Sequence, residues 1–169
     1  MPAGEHKRQQ VSTVSCAVVT VSDTRTEADD ASGALIRELL TEAGHRVRLS
    51  VIVRDDPERI REVLTGVRDD PSCEAVLMTG GTGLAPRDVT HEVVSGLLDK
   101  RLDGFGELFR GFSFAEIGPA AMLSRAVAGV MGSTVVFAMP GSTAAVRLAM
   151  ERLVLPELPH VVYLLSGKQ

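Results

Sequence analysis

The stretch Thr79-Gly80-Gly81-Thr82-Gly83 follows the apolar run Ala75-Val76-Leu77-Met78 without a break. Three glycines within four residues, placed where a strand ends, bring bare backbone N–H groups against an anionic ligand. Glycine has no Cβ, so it accepts positive φ and close approach at low steric cost. A helical pattern comes next, and the unpaired amides of a helix N-terminus then point at the same place. Between loop and helix, Ala85-Pro86-Arg87-Asp88 adds one cation and one carboxylate. These are the parts of a phosphate site. The plain alternative is a tight turn, which rarely needs three glycines flanked by threonines.

The loop is not a Walker A motif, because no Gly-Lys-[Ser/Thr] follows it. It also departs from the G-x-G-x-x-G dinucleotide fingerprint, and it comes too late for the usual first βα turn. Asp55 and Asp88 are the carboxylates best placed to work with it. Asp56 stands before Pro57 as a helix N-cap, a structural job that Asp55 lacks. Asp88 has a bland reading as a cap for the helix beginning at Val89, a job that Thr90 fits as well. Two carboxylates about 4 Å apart, facing a shared cavity, repel by roughly 4 kcal/mol at an effective dielectric of 20. A divalent cation removes that cost, and carboxylates with substrate phosphates are a typical Mg²⁺ environment. Magnesium-assisted nucleotidyl or phosphoryl transfer is the chemistry this set suits.

The order of elements explains how such residues meet. Cys16 to Val21 and Val47 to Val53 read as strands, with a helix between them carrying Ala31, Leu35, Leu39 and Leu40 and stopping at Gly44. A second helix starts at Asp56-Pro57 and buries Ile60, Val63, Leu64 and Val67. Ala75 to Thr79 is a third strand and Val89 to Leu98 a third helix. Thr134 to Met139 is a late strand, and Pro140-Gly141-Ser142 then leads into a helix carrying Val146, Met150 and Leu153. Strands alternating with helices predict a three-layer α/β/α fold with a mainly parallel sheet. The strand C-termini then gather Ser22-Asp23-Thr24, Asp55 and Asp56, the glycine loop with Asp88, and Pro140-Gly141-Ser142 on one edge, where ligands of open α/β sheets bind. Ser22-Asp23-Thr24 reads equally as turn chemistry. The segment Leu102 to Gly118 breaks the alternation and holds Phe105, Phe109, Phe112 and Phe114, four of the five phenylalanines. Either the domain's own core or a subunit contact covers them.

Composition closes off other classes. The chain has 169 residues, with 44% hydrophobic and 24% charged residues and a net charge of −4. That is an ordinary globular balance for a single domain over 13–169, preceded by a polar flexible tail over 1–12. A net acidic chain without a basic run argues against nucleic-acid binding. No apolar run reaches the roughly 18 residues of a membrane span, and Met1 to Gln10 has no apolar signal region. Cys16 and Cys73 form no CxxC pair and read as reduced thiols of a cytoplasmic protein. The four histidines lack metal-ligand spacing, and His91 in a helix's first turn reads as solvated.

The same residues carry a family resemblance. The chain resembles the MogA/MoaB family of molybdenum cofactor biosynthesis proteins. The resemblance rests on Val21-Ser22-Asp23-Thr24, Thr79 to Gly83 through Arg87-Asp88-Val89-Thr90, Gly104-Phe105-Gly106-Glu107, Leu123 to Gly129, and Ala138-Met139-Pro140-Gly141-Ser142. These segments span nearly the whole chain, and Ser113 to Gly118 with Ala138 to Thr143 resembles the MoaB branch more than the MogA branch. The resemblance implies a molybdopterin-binding-domain-like fold and the adenylylation of molybdopterin by Mg·ATP with release of pyrophosphate. It implies that Asp88 and Asp55 (with Asp56 adjacent) are the catalytic, Mg²⁺-positioning aspartates. It further implies ligand contacts from Thr79, Gly80, Gly81, Thr82 and Gly83, with Ser22, Asp23, Ser124, Pro140, Gly141 and Ser142. A homo-oligomer, trimeric or hexameric, is expected with it, and other cofactor-biosynthesis proteins are possible partners. Some MoaB-branch proteins bind the pterin without adenylylating it, and their loops depart from the catalytic pattern. Here Pro86-Arg87-Asp88-Val89-Thr90 resembles the active enzymes, although His91 stands where those usually have proline. A non-catalytic pterin carrier or a scaffold is therefore the alternative expectation.

Overall fold

The computed structural model describes residues 11–167. A six-stranded sheet has the order β2-β1-β3-β6-β5-β4, from β1 (Ser15–Val21), β2 (Arg46–Val53), β3 (Ala75–Thr79), β4 (Lys100–Arg101), β5 (Val127–Met131) and β6 (Thr134–Met139). The pairs β1–β2, β1–β3 and β3–β6 are parallel, while β5 runs antiparallel to both β6 and β4. Helices cover both faces, so the sheet is the middle of three layers. No helix among the described residues is long and apolar enough to cross a membrane.

Each central strand alternates its side chains between two cores, as a pleated strand must. Cys16, Val18, Leu77, Phe137 and Met139 face helices α1 (Ala31–Glu42), α4 (Asp103–Ile117), α5 (Thr143–Ala149) and α6 (Leu155–Leu165). Ala17, Val19, Val76, Met78 and Val136 face α2 (Pro57–Arg68) and α3 (Thr90–Leu97). Leu35, Leu39 and Leu40 of α1 and Ile60, Leu64 and Val67 of α2 are buried as helical spacing predicts, while Ile36, which that reading missed, is buried and Ala31 is exposed. Each fully buried large side chain contributes about 1.5–3 kcal/mol. Local chemistry sets the helix starts. Asp30 accepts from the Gly33 amide at 2.9 Å and from the Thr20 hydroxyl at 2.7 Å, which ties α1 to β1. Asp56 accepts from the Glu58 and Arg59 amides, the N-cap role assigned to it.

Three features differ from the sequence reading. Residues 103–117 form a helix where the alternation placed none. Its Phe105 and Phe109 are buried, Phe112 packs at the core's border under the Arg152 guanidinium, and Phe114 is 60% exposed. The phenylalanines thus divide between core and surface. Second, Val127–Met131 is a separate strand, hairpinned to β6 through Gly132-Ser133, with Gly132 at φ +63°. Third, the last helical region widens into one π turn, Met150–Val154, just before Pro156 and Pro159, which have no N–H to bond the preceding turn.

Most of the expected N-terminal tail lies outside the described residues. Within its last two positions, the Val11 amide donates to the Pro159 carbonyl at 3.4 Å. Cys16 and Cys73 are buried free thiols, and burial pushes both thiol pKa values up. His45 is buried, its ring nitrogen accepting from the Val14 amide, and burial lowers its pKa.

Candidate functional site

β3 delivers the glycine loop to the strand C-terminal edge in a crowded conformation. The Gly80 amide donates to the Met139 carbonyl at 3.1 Å, and the buried Thr79 hydroxyl donates to the Pro140 carbonyl at 2.9 Å. Those two bonds dock the loop on the Pro140-Gly141-Ser142 turn. Gly80 and Gly81 have φ of +96° and +67°. A Cβ on Gly80 would lie 2.3 Å from the Val21 carbonyl oxygen. One on Gly81 would lie 2.2 Å from Thr90 Oγ1 and 2.5 Å from Asp55 Oδ1, and one on Gly83 2.6 Å from Asp88 Oδ2. At Gly80 and Gly81 the left-handed backbone together with the close atoms leaves room only for glycine, whereas at Gly83 the neighbour is the end of a side chain.

Arg125 fastens the loop from the other side. Its guanidinium donates to the carbonyls of Gly83 (2.6 Å) and Asp88 (3.1 Å), and its Nε to that of Gly83 as well. It also pairs with Glu92 on α3, and this bond holds the Glu92 carboxyl below its usual range. His91, expected to be solvated, is half-buried and donates from Nδ1 to the Arg125 carbonyl at 2.8 Å. Neither Asp88 nor Thr90 caps α3: the cap position is Val89, without a side-chain bond. The Asp88 carboxylate turns back instead, accepting from the Ala85 amide at 2.8 Å.

Between this loop and α4 opens a cleft of about 380 Å³. Gly80, Gly81, Thr82, Gly83 and Asp88 line it from β3, and Pro140, Gly141 and Ser142 from β6. Ser124 adds a hydroxyl, and Phe109, Ile117, Ala121 and Leu123 form an apolar wall that sequence reasoning did not assign to the site. The phenylalanine-rich stretch was its one visible signal. Polar groups on one side and an apolar wall on the other suit a flat, partly polar ring system bearing a phosphate.

Asp55 lies against Gly81 outside that lining, so the two aspartates do not share one open cavity. They remain electrostatically coupled. Burial, then the Asp23 carboxylate, then that of Asp88, push the Asp55 carboxyl above its ordinary pKa, with Arg87 pulling the other way. Asp55 Oδ1 and Thr90 Oγ1 are buried without hydrogen-bond partners. Asp23 accepts from the Asp55 amide at 3.1 Å, and Ser22 accepts from the Thr24 and Arg25 amides. Ser22 and Asp23 line a different depression, of about 480 Å³, beside β2. Ser142 caps α5, accepting from the Ala145 amide. No group of three or more His, Cys, Asp or Glu among the described residues is arranged to hold a metal. A cation at Asp55 and Asp88 would therefore need substrate phosphate oxygens as well.

Fold and site define an α/β domain of the class that binds ligands at the strand C-terminal edge, here with a glycine loop backed by carboxylates. Residues 17–160 match the family model described as a probable molybdopterin binding domain. Molybdenum cofactor biosynthesis protein B of Bacillus cereus is 54% identical over 164 residues, covering 96% of this chain and 97% of that one. The Bacillus subtilis protein of the same name is 51% identical over 164 residues, covering 96% of each chain. Among solved structures, MoaB from Thermus thermophilus superposes with a TM-score of 0.82 at 40% identity, covering 92% of this chain and 98% of that one. A MogA structure superposes at 0.80 with 28% identity, covering 89% of this chain and 99% of that one. The chain belongs to this family of molybdenum cofactor biosynthesis proteins.

Proposed function

We propose that the protein adenylylates molybdopterin with Mg·ATP and releases pyrophosphate. The observation that carries this reading is the partnerless Asp55 oxygen held among like charges beside the glycine loop. A buried carboxylate oxygen with no donor and two acidic neighbours fits a divalent cation, and Asp55 and Asp88 are the residues to hold it. Bound there, Mg²⁺ would neutralise charge on the transferring phosphoryl group. The remaining work belongs to the chain. Backbone amides of Gly81 to Gly83 bind phosphate oxygens, the Gly80 amide being taken up by the Met139 carbonyl, and Asp88 orients the reacting end of the cleft. The apolar wall around Phe109 holds the pterin and excludes water. The molybdopterin phosphate oxygen attacks the α-phosphorus of ATP, the α–β bridging bond breaks, and the electron pair leaves with pyrophosphate.

Pyrophosphate release from Mg·ATP, with and without molybdopterin, tests the reading. Release should depend on the pterin and fall about 100-fold in Asp88→Asn, which keeps the bond to the Ala85 amide and hence the fold. Molybdopterin binding without any release in the wild type would identify a pterin carrier instead.

Self-association is part of the proposal. Leu108, Phe114, Ile117, Met122 and Leu123 are each more than half exposed along α4 and the turn after it, a cluster of large apolar side chains of the kind that marks an interaction surface. Sedimentation should give a homo-oligomer, and Phe114→Glu should shift it towards monomer. Two buried free thiols suit a reducing, cytoplasmic setting.

A further inference from the structure

A second cleft, of about 440 Å³, lies beside the first and shares Ser124 with it. Its floor is Ala126 and the start of β5, Val127 and Ala128, and one wall is the first half of α4. Arg101, Arg110 and Arg125 reach into it, with Asp103 and Glu107 as the opposing charges. Arg101 is paired with Asp103 at 3.1 Å, and Arg125 is taken up by Glu92 and the loop carbonyls. Arg110 differs. It is half-buried, yet among the described residues it makes no hydrogen bond or ion pair. Glu107, three residues earlier on α4, is exposed and not bonded to it.

Gly106 explains how the guanidinium comes to lie there. A Cβ on Gly106 would stand 2.9 Å from Arg110 Nη1, 3.0 Å from Nη2, and 2.8 Å from the Ala126 carbonyl oxygen. The bare Cα leaves the guanidinium room against the backbone. A partly desolvated guanidinium without an acceptor has lost hydration and gained nothing in return. An oxyanion restores the balance, and the planar fork of arginine matches phosphate oxygens in pairs.

We propose that this cleft is an oxyanion subsite for the diphosphate end of the nucleotide, with Arg110 as its binding residue. Identifying the anion as part of a nucleotide rests on adenylyl transfer being the reaction; the subsite itself does not. Ser124 lines both clefts, which sets the arginine cleft beside the glycine loop where the far end of a phosphate chain would fall.

Calorimetric titration with inorganic pyrophosphate, in the absence of ATP and pterin, tests it. Wild type should bind pyrophosphate, more weakly as salt rises. Arg110→Ala should raise Kd at least about tenfold, and Arg110→Lys should recover part of the loss. Glu107→Gln, at an exposed position, should tighten binding about two- to threefold through loss of one opposing charge. Molybdopterin affinity and melting temperature should hold in Arg110→Ala. Equal pyrophosphate affinity in wild type and Arg110→Ala, or no binding by wild type, would overturn the subsite. Arg110-dependent pyrophosphate binding in a protein that never releases pyrophosphate from ATP would keep the subsite and sink adenylyl transfer.

Discussion

Asp55→Asn should make the ligand-free protein more stable at pH 7 while cutting turnover about 1000-fold. The carboxyl is half-buried, its Oδ1 has no partner, and Asp23 and Asp88 raise its pKa on top of burial. In the unfolded chain it titrates near pH ~3.9. A folded-state pKa above that value means the folded protein binds the proton more tightly. The associated stability is complete below about pH 4 and is lost as pH rises through the folded pKa. At pH 7 the wild type therefore carries the whole penalty of an ionised Asp55, and a neutral amide removes it. Because the carboxyl is only half-buried and solvent screens its neighbours, the gain should be small, at most about 2–4 °C in Tm, or roughly 1 kcal/mol in a chain of this size. Melting curves of both proteins from pH 3.5 to 8 should converge at the acid end and separate towards neutrality. Mg²⁺ with ATP should raise the wild-type Tm and leave the variant unmoved. The catalytic loss follows from removing a charge in a low-dielectric site, where one such group is worth roughly 100- to 1000-fold. A variant less stable than wild type at pH 7 would mean that Asp55 serves the fold, and the catalytic assignment would fail with it.

The second large effect is expected at Gly80. Alanine there must adopt φ near +96° and place its methyl 2.3 Å from the Val21 carbonyl oxygen, a backbone atom of β1. Strained backbone costs about 1–3 kcal/mol and overpacking a similar amount. Gly80→Ala should lose about 3 kcal/mol in urea unfolding, or roughly 6–12 °C in Tm. Relief by moving the loop would pull the Gly80 amide from the Met139 carbonyl and misplace the amides that meet phosphate, so pterin binding should vanish too. Gly111→Ala is the control. It lies within α4 with nothing near its Cβ direction and should be neutral or stabilising by about 0.5–1 kcal/mol. A Gly80→Ala protein within about 1 kcal/mol of wild type would show that the loop tolerates a side chain and that its glycines serve only the turn.

Much of this site is written locally in the sequence. The strands Ala75–Thr79 and Thr134–Met139, the Asp56 cap and the glycine loop are each announced by a local pattern of residue types, even though the strands pair, and the loop docks, through residues about 60 positions away. Asp88 was legible as a carboxylate beside the glycine loop but not as the acceptor for the Ala85 amide, because a loop's internal bond leaves no periodicity. The helix 103–117 was hidden by its glycines and phenylalanines, which have poor helix propensity. Tertiary burial of Phe105 and Phe109 outweighs it.

The sequence by itself determined a parallel α/β core, because short β-branched runs alternating with amphipathic helices leave few other ways to bury their apolar faces. It determined which loops gather at the strand C-terminal edge, because parallel strands all end on one side. Only the tertiary structure decided that β5 runs the other way. An antiparallel strand begins on the edge where its parallel neighbours end, and Val127 pairs with Ala138 near the end of β6. That reversal sets Ser124 and Arg125 at the site from the opposite direction in sequence, placing a guanidinium over the carbonyls of the glycine loop. It also opens the second cleft in front of Arg110. Strand direction depends on pairing between residues far apart in the chain, which local composition does not encode.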